Sequence, residues 1–74
     1  MILTHEQRSK LSERLVKLRD MGGKKAVARK CGLSVNSIYN LLIPDRPVLL
    51  YTYTKVLEAV KELEEEKAKL LIEA

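Results

Sequence analysis

The sequence predicts a small all-α domain, a helical bundle whose last helix is the longest. Three observations carry this. Apolar residues recur at three- and four-residue spacings through separate stretches. Gly and Pro fall between those stretches. From Thr54 to Ile72 the helical period is sustained without a breaker. The chain of 74 residues makes one domain without Trp or Phe, so aliphatic side chains must form its core. Below about 80 residues such a core supplies only about 3–5 kcal/mol, so help from self-association or a bound partner is expected.

Thr4 is the expected N-cap of the first helix, with Gln7 in capping-box position. Leu11, Leu15 and Leu18 then mark one face, with Val16 beside them and Arg8, Lys10, Arg14 and Lys17 on others. Gly22-Gly23 is expected to end this helix, since glycine tolerates the left-handed C-cap. The "GGKK" run is not a phosphate loop, because the earlier Gly, the following Ser/Thr and the preceding strand are all missing.

A second helix is expected from about Lys24 to Cys31, with Val27, Ala28 and Cys31 on one side. Its two leading lysines oppose the helix dipole by about 0.3–1 kcal/mol. Chance variation at an exposed site accounts for them, and so does a phosphate facing Lys24 and Lys25. Gly32 then suits the residue past a helix end, Leu33 is an apolar plug and Ser34 is an N-cap for a third helix, about Val35 to Leu42. So short a connection makes the two helices cross steeply. Ala28 supplies the small residue at that contact and Ile38 the apolar side chain turned back into the angle.

Val27, Ala28, Cys31, Gly32, Leu33, Ile38 and Leu41 fall on the hydrophobic, small, glycine and branched-aliphatic positions of a helix-turn-helix. Over residues 24–43 the chain resembles the lambda-repressor-like and Cro-like helix-turn-helix family of small phage and bacterial transcriptional regulators. That resemblance implies that the third helix reads DNA bases from its N-terminal part, here Val35, Asn36, Tyr39 and Asn40. Val35 stands where relatives often have a polar residue, and could meet only a thymine methyl. Asn36 and Asn40 lie four apart on one face and suit adenine N6/N7, where a bidentate pair discriminates by about 1–3 kcal/mol. Simple solvation is the alternative for both, although Asn is a poor filler in a short helix.

Charge supports the same partner. Residues 1–48 hold ten Lys/Arg against four acidic residues, a net +6, whereas residues 49–74 hold four Lys against six Glu, a net −2. A polyanion is therefore expected at the first two-thirds of the chain. Phosphate contacts are expected from Lys24, Lys25, Arg29, Ser34, Ser37 and Arg46, with Lys30 and Arg8 as weaker candidates. Cys31 is expected in the core rather than as a reactive thiol. His5 has no evident partner or role.

Pro44 and Pro47 end the third helix near Leu42. The relatives often have a polar Asn-Gly-type exit there. "VLLYTYT" alternates like an edge strand, but a loop or turn leading into a helix is preferred, with Thr52 or Thr54 as cap. In the last helix Val56, Val60, Leu63, Lys67 and Leu70 follow a coiled-coil seam, which Leu57 and Leu71 widen. Its first half is expected to pack on the domain, residues 1–62, and its second half, 63–74, to dimerise. The expected dimer contacts are Val60, Leu63, Lys67, Leu70 and Leu71.

One cysteine, one histidine and the absence of a CxxC motif give no disulfide or metal cluster. Neither a cofactor nor a small-molecule ligand is expected. The N-terminal apolar stretch of two residues is too short for a signal peptide or a membrane span, so a cytoplasmic setting is expected. The expected function is sequence-specific binding of double-stranded DNA as a homodimer on a palindromic operator. Repression by occlusion is the simpler mode, because the chain carries no effector domain. A helical adaptor or antitoxin-like partner using the C-terminal helix is the alternative. Enzymatic activity is not expected, since no nucleophile, base and orienting group converge.

Overall fold

Among the described residues the chain forms four α-helices: α1 (His5–Lys17), α2 (Gly23–Cys31), α3 (Val35–Leu41) and α4 (Leu50–Glu73). The structure, a computed structural model, describes residues 1–73, with side-chain surroundings through Ile72. The final residue of the expected 63–74 segment lies outside the described residues. No helix among the described residues is long and apolar enough to cross a membrane.

The start of α1 follows its local chemistry. Thr4 Oγ1 accepts from Gln7 N at 3.1 Å, and Gln7 Oε1 accepts from Thr4 N at 2.8 Å, so each satisfies a backbone donor that the helix leaves free. The end of α1 differs from expectation. It stops at Lys17, and a single 3₁₀ turn over Arg19–Met21 carries the chain to Gly22. Buried Leu18 explains the early stop, because its carbonyl accepts from both Met21 N and Gly23 N and holds the turn over the core. The glycine pair therefore closes the 3₁₀ turn and opens α2.

The core contains Leu11, Leu15 and Leu18 from the α1 side, Val27 and Ala28 from α2, and Ile38 and Leu41 from α3. α4 closes it with Val56, Ala59, Val60 and Leu63. Leu3, ahead of α1, is also buried. It sits on a short N-terminal segment that pairs antiparallel with the residues after α3, through an Ile2–Pro47 bridge and a Val48 N to Met1 O bond of 2.7 Å. Among the described residues no polar or charged side chain is buried.

Two expectations about α4 are corrected. The helix begins at Leu50, four residues before Thr54, so "YTYT" is helical. Tyr53 and Leu57 pack against the core at helical spacing, and that burial outweighs the weak strand preference of the run. The seam also divides differently. Val60 and Leu63 are buried in the chain's own core and are not free to pair with a second copy. Lys67 Nζ donates to Lys17 O and, at 3.0 Å, to Asp20 Oδ1, so its ammonium satisfies a carbonyl at the end of α1. Only Leu70 and Leu71 of the expected dimer contacts are exposed, at 55% and 71%, with Ile72 beyond them at 85%.

Ion pairs fasten α4 to the earlier helices. Arg14 holds Glu64 through two parallel bonds, Nε to Oε2 at 2.9 Å and Nη2 to Oε1 at 2.6 Å. Lys30 sits between Glu62 and Glu66, which resolves the like-charge repulsion that one helical turn imposes on that pair.

Candidate nucleic-acid interface

The corner between α2 and α3 is built as its sequence requires. Gly32 adopts φ +73°, the left-handed conformation that glycine enters without penalty. Leu33 N then donates to Ala28 O at 2.9 Å and Gly32 N to Arg29 O at 3.4 Å, the paired bonds of a Schellman stop. Ser34 is extended, and its Oγ accepts from Ser37 N at 3.3 Å to start α3. Three residues thus reverse the chain. Ala28 is buried at the crossing because a larger side chain there would push the helices apart.

This corner fixes which way α3 faces. Ile38 and Leu41 are fully inward, and Leu42 is half-buried against the core. Asn36, Tyr39 and Asn40 are exposed. Val35, grouped with them by sequence, is half-buried and packed on the core, which limits what it can present. Ile43 is 41% exposed just past the helix.

The basic residues distribute unevenly around that face. Lys24 Nζ lies 5.2 Å from the Tyr39 ring centroid, a cation–π contact that ties the start of α2 to the middle of α3. An open cleft between the two is lined by Arg19, Gly22, Gly23, Lys24, Lys25, Val35 and Tyr39. Arg19 was missed by sequence reasoning. Its position one turn before the glycine pair is the only signal that could have placed it there. Lys25 and Arg29 are exposed. Arg46 is also exposed, but its Nη1 donates to Asn40 Oδ1 at 3.0 Å, joining an expected phosphate contact to an expected base contact. Ser34 and Ser37 hydroxyls lie 3.1 Å apart and bond each other, each keeping capacity for a further partner.

The weaker candidates are engaged elsewhere. Lys30 is neutralised by the two glutamates of α4, which hold its ammonium pKa above the ordinary value. Arg8 Nη1 donates to Leu3 O at 2.7 Å and anchors the N-terminal segment. Cys31 is half-buried and free, with Sγ directed at Ala28 O at 3.6 Å. His5 Nε2 lies 3.4 Å from Ser9 Oγ on the exposed side of α1. That side borders a broad open groove shared with Arg8, Ser12, Glu13, Val16, Lys17, Leu42 and Pro44. Among the described residues no group of three metal-ligating side chains converges.

One short helix presents two amides and a phenol, and cations flank it on the side of α2. Comparison of the chain with protein-family models, with curated proteins and with solved structures gives no match.

Proposed function

We propose that the protein is a sequence-specific double-stranded DNA-binding regulator that places α3 in the major groove. The observation that carries this reading is the corner at Gly32. It buries Ile38 and Leu41 and leaves Asn36, Tyr39 and Asn40 facing out beside Lys24 and Lys25. A helix of seven residues fits the major groove, and its amides match the donor and acceptor pattern of base edges. Phosphates beside the α2 N-terminus remove the conflict between its two lysines and the helix dipole. Arg19 joins Lys24 and Lys25 in that role, and Arg29 is a further phosphate contact from the last turn of α2.

The protein acts as a homodimer, pairing through Leu70, Leu71 and Ile72, where the apolar stripe of α4 runs past the core that covers it. Two copies of α3 about 34 Å apart then meet a palindromic operator. Repression by occluding a promoter in a bacterial cytoplasm or nucleoid is the simplest regulatory outcome. The same exposed stripe favours a second reading, a helical adaptor or antitoxin-like protein whose partner covers the end of α4. No catalytic role is assigned.

Selection of bound duplexes from a random pool separates the two. The wild type should return a short motif, and Asn36→Ala should relax it at one adenine position in each half-site. Recovery of unrelated sequences by both proteins would remove the operator reading and leave the adaptor.

A further inference from the structure

We infer that Arg46 is a positioning residue that sets the base specificity of Asn40, turning that amide toward guanine rather than adenine. The inference rests on the DNA-binding reading above. It starts from the turn after α3. Pro44 and Pro47 restrict the backbone on either side, and Asp45, at φ +59°, reverses it. Arg46 is thereby folded back over the last turn of α3, where Nη1 reaches Asn40 Oδ1 at 3.0 Å across six residues.

A guanidinium has only donors, so the amide atom facing it must be the oxygen. That fixes the otherwise ambiguous flip of the Asn40 amide and aims its NH2 group away from Arg46. A free Asn offers one donor and one acceptor side by side, the match for adenine N6 and N7. Oδ1 keeps a second lone pair, but a base donor approaching it would meet the Arg46 guanidinium, itself a cationic donor, so the N–H donors are the part of Asn40 left to a base edge. The edge that satisfies them is a pair of acceptors, guanine N7 and O6. Adenine would set its N6 amino group against the Asn40 amino group. Docking strips water from the amide, and Arg46 keeps Oδ1 paired at that moment, so the arrangement persists where an exposed hydrogen bond alone would be marginal. The remaining guanidinium donors stay available to a phosphate beside the same base. Asn36 has no side-chain hydrogen bond among the described residues and retains the adenine preference, which gives the two amides of one helix different targets.

The test measures duplex affinities by fluorescence anisotropy, on the motif that the wild type selects. The position read by Asn40 is the one where Asn40→Ala loses preference. Wild type should favour guanine over adenine there by between about fivefold and about a hundredfold, and 7-deazaguanine should cost part of that preference. Arg46→Ala should bring the ratio to parity or invert it while leaving the Asn36 position unchanged, and Arg46→Lys, still a donor, should restore guanine in part. Thermal unfolding of Arg46→Ala should match wild type, because both side chains are exposed. Adenine at that position in the wild type, or an affinity loss in Arg46→Ala with the ratio unchanged, overturns the inference and leaves DNA binding intact. If the wild type selects no motif, the DNA-binding reading fails and the inference with it.

Discussion

Replacing Gly22 by alanine should nearly unfold the protein, and the size of the effect follows from two separable terms. Gly22 sits at φ +103°, where an L-residue pays about 1–2 kcal/mol. Its new Cβ would also lie 2.9 Å from Ala26 Cβ. Ordinary carbon contacts fall at about 3.5–4.0 Å. Ala26 is rigidly held on α2 and cannot rotate its methyl away, so the overlap adds about 1–3 kcal/mol. The total of about 2–5 kcal/mol compares with the roughly 3–5 kcal/mol that a core of this size supplies. Gly32 provides the control. It has φ +73° but no heavy atom within 4 Å of an added Cβ, so Gly32→Ala should cost only the backbone term of about 1–2 kcal/mol. A double-mutant cycle with Ala26→Gly isolates the clash, since that change removes the methyl for about 1 kcal/mol of helix propensity. Urea unfolding followed by far-UV circular dichroism, with trimethylamine oxide added to bring the weakest variant into the folded range, reads all four corners. The cycle should give a coupling of about 1–3 kcal/mol favouring the double variant. Additivity, or equal losses for Gly22→Ala and Gly32→Ala, would refute the close approach at the start of α2.

Two further outcomes follow from α4. Arg14 lowers the Glu64 carboxyl pKa by hydrogen bonding and charge, against a smaller effect of burial. A depressed carboxylate contributes stability that is fully present above its unfolded pKa and lost as pH falls through the folded value. The pair is about a third exposed, so screening limits Glu64→Gln to a cost of about 0.5–1 kcal/mol at pH 7, and urea midpoints of wild type and variant should converge on acidification through the carboxylate range. A gap that widens with acid would contradict the pairing. For self-association, Leu70→Lys combined with Leu71→Lys should give a monomer by light scattering with unchanged helicity, because both side chains are exposed in the single chain. An undiminished dimer would move the contact to another surface, of which Leu49, Leu50 and Tyr51, each more than 60% exposed, form the largest apolar run.

Local chemistry was legible in the sequence and remote partnerships were not. The Thr4–Gln7 capping box, the Gly32 stop and the Ser34 cap each depend on residues within a few positions, and the structure has all three. The inward set of α3 was legible for the same reason, since Ile38 and Leu41 share a helical face. Periodicity shows which face is apolar but not what covers it. The seam of α4 therefore looked like a dimer interface, although Val60 and Leu63 meet the chain's own core. Lys67 was assigned to that seam because its actual partners, Lys17 O and Asp20, lie far back in sequence. Leu50 was missed as a helix start because the run after Pro47 combines strand-forming residues with no side-chain signal at the boundary. At the candidate interface the exposed positions of Asn36, Tyr39 and Asn40 were anticipated. The Lys24–Tyr39 and Arg46–Asn40 contacts were not, since each needs the turn geometry that brings two elements together.

The central claim, that α3 and the start of α2 together form a DNA-binding face, is tested most directly by titrating the isotope-labelled protein with its selected duplex and mapping amide shifts. The account predicts that the largest perturbations fall on Lys24, Lys25, Arg29 and Ser34 through Asn40, plus the Asn36 and Asn40 side-chain amides, and weaken as salt rises. Perturbations confined to the exposed residues of α4, with α3 unmoved, would contradict it.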